Sequence, residues 1–333
     1  MMEATRRFLA GMGLPSGDLH ALPSSTKRFP DGAQYRVEIP STEGPGALAA
    51  ILEEADRYHL TIHRVSQGSG VMLLTDDEIR DMARLAQALG MEVSLFARPN
   101  AAWDIGAMAV SSGGKTVSPR LRGQDQLVYC LEDIQRAASL GIRSVLLADE
   151  GALWVAGEMR QAGVLPKEMQ FKISVMMASS NPASILLMER LGANTFNIPT
   201  DLTLAQIAAI RKAVSIPLDI YMEVPDDLGG FVRLYEIPEV VRVAAPVYLK
   251  FGLRNAPNIY PVGKHIESVS LALSRERVRR AKIGLDLLAR YYPDASQSEP
   301  GAPGLAIPVL EQADAHPNSP ALSGNLQEEA GEV

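Results

Sequence analysis

The chain has one cysteine, Cys130, among its 333 residues. That excludes an intramolecular disulfide, and no cysteine set exists for a zinc ribbon or an iron–sulfur cluster. A reducing cytoplasm is the expected setting. Long apolar runs are missing too: none approaches the roughly 18 residues needed to span a bilayer. The opening MMEATRRFLAGMGLPSG has two arginines and only a short apolar stretch, so a signal peptide is not expected. Basic excess is absent, with 32 Lys and Arg against 39 Asp and Glu. Neither a nucleic-acid nor a membrane partner is therefore expected. Short catalytic signatures are lacking as well. No HxH or HExxH spacing occurs, GSGVMLL has no GK[ST] ending, and spacing alone reveals no Ser/His/Asp or Cys/His arrangement.

What is there is an ordinary globular composition, 47% hydrophobic and 21% charged. Residues 1–32 hold PSGD, PSST and FPDG, which read as an N-terminal extension rich in turns. Residues 294–333 are rich in Pro, Gly, Ser, Ala and Glu and read as a disordered tail. Between them, short β-type runs alternate with amphipathic helical patterns. The strands are expected at 35–40, 60–65, 91–98, 143–149, 170–177, 194–199, 216–224 and 246–252. Helix signals follow most of them, including Thr75 with acids in the next turn, Pro182 at a helix start, and a long final helix over 267–291. A long loop is expected after strand three, through WDIGAMAVSSGGKTVSPRLRG. Eight strands with intervening helices predict a single (β/α)8 TIM-type barrel over 33–293, which takes about 250 residues as one unit.

Alternation along the strands divides their residues between a helix-facing side and an interior. The inward set comprises Arg36 and Glu38, His63, Glu92, Ser94 and Arg98, Glu150, Lys172, Ser174 and Met176, Asn197, Asp219, Tyr221 and Glu223, and Tyr248, Lys250 and Gly252. A barrel interior is usually filled by branched apolar residues, so a charged one must be paired, solvated or used. Arg36 and Glu92, near strand starts, are expected at a solvated bottom rim. Catalysis is expected from Lys172, Lys250, Asp219, Glu223 and Glu150. Substrate binding is expected from Glu38, His63, Arg98, Ser174, Asn197, Tyr221, Arg254 and Asn255. A divalent metal is a possible cofactor, with Glu38, His63, Glu150 and Glu223 as candidate ligands. Two glycine-bearing loops, SQGSG at 66–70 and FGLRNAPNIYPVGKH at 251–265, suggest anion binding, with Arg254, Lys264 and His265 supplying charge.

The stretch MMASSNPASILLMERLGANTFNIPTDLTLAQIAAIRKAVSIPLDIYMEV (176–224) resembles the barrel of the peptidase U32 family. It carries Asn181 before a helix, a Leu-Gly-Ala step into the next strand, and a Leu-Thr-Leu helix start leading to an acidic strand. The resemblance extends loosely over 35–290. It implies the barrel, and with it either collagenase-like proteolysis or hydroxylation. Hydroxylation members carry four cysteines for an iron–sulfur cluster, which this chain lacks, so no such cluster is expected. Three readings follow. The first is a barrel enzyme acting on a small anionic substrate, carboxylate or phosphate, by acid/base or lysine-assisted lyase or isomerase chemistry. The second is a U32-type hydrolase, and the third is a non-catalytic binding or assembly subunit. A homo-oligomer is compatible with each.

Overall fold

A computed structural model describes residues 3–19, 21–99 and 120–310 of the chain. Eight parallel strands close in sequence order into one barrel. They are β1 (Tyr35–Pro40), β2 (Arg64–Ser66), β3 (Glu92–Phe96), β4 (Ser144–Leu147), β5 (Gln170–Ile173), β6 (Thr195–Asn197), β7 (Leu218–Glu223) and β8 (Val247–Phe251). The helices are α1 (Glu3–Gly11), α2 (Pro45–Tyr58), α3 (Asp76–Ala88), α4 (Gly123–Ser139), α5 (Glu150–Gln161), α6 (Pro182–Arg190), α7 (Leu204–Ala213), α8 (Ile237–Ala244) and α9 (Glu267–Tyr291). The predicted (β/α)8 barrel is the observed fold. Among the described residues no helix is long and apolar enough to cross a membrane. Of the loop expected over 103–123, residues 103–119 lie outside the described residues, and Gly123 begins α4.

Local chemistry sets the helix starts. Thr75 Oγ1 accepts from the Glu78 N–H while the Glu78 carboxylate accepts from the Thr75 N–H, a reciprocal cap on α3. Asn181 and Thr203 cap α6 and α7 in the same way. The α8 helix, which sequence periodicity did not reveal, follows a β7–β8 connection of short turns; it buries Ile237, Val240, Val241 and Ala244. The helix-facing residues of the strands, such as Val37, Ile39, Val65, Phe171 and Leu249, are fully buried in the layer between sheet and helices.

Two expectations about the chain ends and the barrel floor need correction. Of the tail expected over 294–333, residues 294–310 are not loose but run under the barrel, and 311–333 lie outside the described residues. Gly301 N–H donates to Gly90 O at 2.9 Å, Val309 N–H to Gly141 O at 2.9 Å, and Gln297 bridges alongside Tyr35. Gly90 makes this approach possible: it sits at φ +61°, and a Cβ there would stand 2.8 Å from Gly301 N. Polar composition is compatible with packing when the partners are backbone groups and buried charges. Consequently Arg36 and Glu92 are not at a solvated rim. Arg36 donates to Ser298 Oγ (2.9 Å), Tyr248 Oη (3.2 Å) and Pro303 O (2.7 Å), and its guanidinium lies 4.0 Å over the Phe29 ring. Glu92 accepts from Ser144 Oγ at 2.8 Å and from the Ala306 N–H at 3.3 Å. Phe29, from the N-terminal extension, packs edge-on against Tyr248 and completes this floor.

Candidate active site

Strand two sets the interior, and there the alternation expected from sequence is off by one residue. The register pairs Glu38 with Arg64 and Arg64 with Glu92. Arg64, not His63, therefore points into the barrel. Only three residues of this run are regular strand, too few for period-two reasoning to fix the phase. Arg64 Nε and Nη2 donate to Glu38 Oε2 at 2.8 and 2.5 Å, Nη2 lies 2.6 Å from Asp219 Oδ1, and Nη1 lies 3.6 Å from Glu92 Oε1. The guanidinium stacks 3.5 Å over the Tyr248 ring. Lys172 Nζ donates to Glu38 Oε2 (2.6 Å) and Asp219 Oδ2 (2.5 Å), and Lys250 Nζ stands 3.3 Å from Glu38 Oε1. Three cations, Arg64, Lys172 and Lys250, thus interlock with three carboxylates, Glu38, Asp219 and Glu92, all essentially buried.

The electrostatics follow from this pairing. Burial pushes the Glu38 carboxyl up, but the Arg64, Lys172 and Lys250 charges outweigh it and hold the group well below the usual carboxylate range. Burial and the neighbouring Arg64 charge bring Lys172 down to about 8, against the pull of Asp219 and Glu38. Lys250 is lowered too, by burial first and then Arg64, with Glu38 and Asp219 opposing.

Above this layer, at the C-terminal ends of the strands, a cavity of about 650 Å³ opens. Lys250 stands in its floor with Asn197 and Tyr221, while Arg98 and Ser174 lie on its wall. Lys250 Nζ lies 4.3 Å over the Tyr221 ring, and in the orientation that satisfies both its ends the Asn197 amide accepts from Lys250 Nζ at 2.7 Å. Ser66 donates to Glu38 Oε1 at 2.7 Å, joining the floor to the charged layer. Arg98 Nη1 donates to Gly68 O at 3.4 Å, and burial brings Arg98 down to about 10. Five of the sequence candidates, Lys250, Asn197, Tyr221, Arg98 and Ser174, therefore meet at one cavity. Lys172, Glu38 and Asp219 lie beneath it as its foundation.

The remaining candidates are elsewhere. His63 sits at the floor of the barrel: its Nδ1 accepts from the Val37 N–H at 3.0 Å and its Nε2 contacts Ser298 O at 2.8 Å. Burial brings it down to about 4. Glu150 is the first residue of α5, exposed, and paired with Arg120. Glu223 follows an irregularity in the β7–β8 pairing and turns outward, accepting from the Arg254 N–H at 2.9 Å and facing Arg280 at 3.6 Å. Arg254 and Asn255 do not line the cavity but bind Asp226, which does, and Lys264 pairs with Glu267 on the surface. Hence the four proposed metal ligands, Glu38, His63, Glu150 and Glu223, are not brought together. Among the described residues no group of three His, Cys, Asp or Glu side chains is placed to hold a metal.

The two loops expected to bind an anion have different fates. In SQGSG, Gly68 and Ser69 donate their N–H groups to the chain's own Glu43 at 2.6 and 3.0 Å. The segment after β8 folds over the cavity as a wall containing Leu253, Ile259 and Tyr260, and the Tyr260 hydroxyl bonds Ser41. Sequence reasoning missed Arg277 as well as Arg64. Arg277 arrives from α9, whose buried face runs Ser270, Ser274, Arg277, Val278, Ala281. An arginine on that helical stripe was the available signal.

A closed parallel barrel with a charge-paired interior and a cavity at its C-terminal mouth is the class that fold and site define. Within it, residues 120–223 match the model of Peptidase family U32, and the chain is U32-like over that segment, under a third of its length. No curated protein matches the chain. Among solved structures it is similar to a U32 peptidase, at 16% identity over 60% of this chain and 73% of that one, with a TM-score of 0.36. It is also similar to a 3-hexulose-6-phosphate synthase, at 17% identity over 74% and 97% with a TM-score of 0.39. A truncated 3-deoxy-D-arabino-heptulosonate 7-phosphate synthase from Thermotoga maritima gives 14% identity over 84% and 96% and a TM-score of 0.42.

Proposed function

We propose that this chain is an enzyme acting on a small anionic carbonyl substrate, with Lys250 as the reacting amine. The observation that carries this reading is the position of Lys250: its Nζ is buried in the floor of the cavity, and its charge is disfavoured by that burial. A lysine whose neutral form is made accessible in this way is suited to add to a carbonyl carbon. The amine nitrogen forms the new C–N bond, the carbonyl oxygen leaves as water, and the resulting iminium withdraws electrons from the adjacent C–H or C–C bond. Lyase or isomerase chemistry follows from which of those bonds breaks. Lys172 is excluded from the reacting role because two carboxylates hold its ammonium beneath the floor.

The test is borohydride reduction of the full-length protein in the presence of a short oxo acid such as pyruvate. The expected product carries the reduced adduct on Lys250 alone. An adduct on Lys172, or none on either lysine, overturns the assignment.

A U32-type hydrolase is the second reading, favoured by the match over 120–223. The described residues offer it little machinery. Cys130 is buried with its thiol pushed up and its Sγ directed at Ala97 O, and His63 lies at the opposite end of the barrel. Cleavage across a broad peptide library that disappears in Lys250→Ala would favour this alternative.

A further inference from the structure

We infer that Arg277 anchors the substrate of this cavity, and that the group it takes is a carboxylate. The inference rests on the reading above for the identity of the site and adds the chemistry of what enters it.

Arg277 projects from α9 to the cavity wall and is only 5% exposed. Its Nη1 donates to Ser41 O at 3.3 Å, while its Nε has no hydrogen-bond partner. Among the described residues it forms no ion pair. The other charged groups of the interior are treated differently. Arg64 is shared among three carboxylates, and both lysines are tied to Glu38. Arg36, which has no carboxylate, is matched by a hydroxyl, a phenol and a backbone carbonyl. A buried guanidinium left with one long hydrogen bond is costly unless an anion arrives to complete it.

The carboxylate whose charge acts on Arg277 is Glu43, and it is already held by the Gly68 and Ser69 N–H groups. That pairing also decides the kind of anion. The backbone donors that would help surround a tetrahedral phosphate are taken, and Lys250 is shared with Glu38. Of the two guanidiniums on the cavity wall, Arg98 already donates to Gly68 O, and Arg277 presents a fork whose parallel N–H groups match a planar carboxylate. Arg277, Lys250 and Tyr221 line the same cavity, with Lys250 Nζ over the Tyr221 ring. A short oxo acid fits both cations, presenting its carboxylate to Arg277 and its carbonyl to Lys250. The apolar wall of Met176, Leu253 and Ile259 accommodates the rest.

The experiment measures binding of pyruvate and of inorganic phosphate to the full-length protein, by calorimetry or ligand-observed NMR, alongside thermal unfolding. Pyruvate is expected to bind and phosphate not to displace it. Arg277→Met is expected to weaken pyruvate binding roughly tenfold or more, the value of a charge-assisted hydrogen bond, with an unfolding midpoint equal to or above that of the parent. Arg277→Lys, which keeps the charge without the fork, should recover only part of the affinity. Undiminished pyruvate binding in Arg277→Met, displacement by phosphate, or no oxo-acid binding at all overturns the inference. So does a lowered midpoint with unchanged binding, which marks a structural arginine. Failure of the lysine chemistry reads differently: pyruvate would still bind in an Arg277-dependent way while borohydride trapped nothing.

Discussion

Arg64 shows how one side chain can organise a barrel interior. It touches Glu38, Asp219 and Glu92 and stacks on Tyr248, with no exposed surface. Removing it leaves three buried carboxylates short of a partner, so Arg64→Met is expected to destabilise the fold by about 3–5 kcal/mol, read from urea unfolding. A loss below about 1 kcal/mol would mean that the carboxylates find other partners or protons. At the barrel floor His63 gives a pH-dependent counterpart. Its Nδ1 accepts from a backbone N–H, so protonation sets two donors against each other. Its folded value of about 4 lies below the ordinary 6.5. Between those values the unfolded chain binds more protons, so stability is full above pH 6.5 and falls as pH drops toward 4. The expected loss is about 3 kcal/mol across that window, and it should vanish in His63→Gln. The sequence disclosed most of the charged interior because strands five, seven and eight alternate cleanly, which placed Lys172, Asp219, Tyr221 and Lys250. It misplaced His63 and hid Arg64 because strand two is too short for its phase to be read. It misplaced Glu150 because that residue lies beyond the end of β4, where alternation carries no information, and Glu223 because the register shifts between Tyr221 and Glu223 within β7, where the alternation loses its phase.

At the scale of elements, the least expected piece is the segment 294–310. Strand and helix positions were legible from periodicity to within a few residues. This segment has no periodicity, since its bonds run from its backbone and from Ser298 to groups distant in sequence. Composition alone therefore suggested disorder. The structure makes it the lower cap of the barrel, supplying acceptors for Arg36 and a contact for His63. Truncation after Asp294 is expected to lower stability by about 2–4 kcal/mol relative to truncation after Leu310, because water then replaces two hydrogen bonds to a buried charge. Equal denaturation midpoints for the two truncations would show that the cap contributes nothing. The same truncation should abolish the His63 window, because opening the floor returns that imidazole to water and to its ordinary value.

For the whole molecule, the question is why a barrel keeps a charged layer where branched apolar side chains would serve. Buried ion networks commonly do no better for stability than apolar residues of similar volume. The layer under the cavity is neutral in sum, and Lys250 is the cation of the set that lines the cavity. Its function is best separated from its stability by replacing the foundation together. The variant Glu38→Leu, Arg64→Met, Lys172→Met, Asp219→Leu removes two charges of each sign. It is expected to be more stable than Arg64→Met alone, because it strands fewer carboxylates. It is also expected to lose borohydride trapping at Lys250, whose amine would no longer be held in place by Glu38. Measured together, unfolding and trapping should move in opposite directions between the two variants. If the quadruple variant is the less stable of the two, the layer is a structural device. If it is stable and still traps substrate, Lys250 reacts without its foundation, and only the cavity walls are needed for the chemistry.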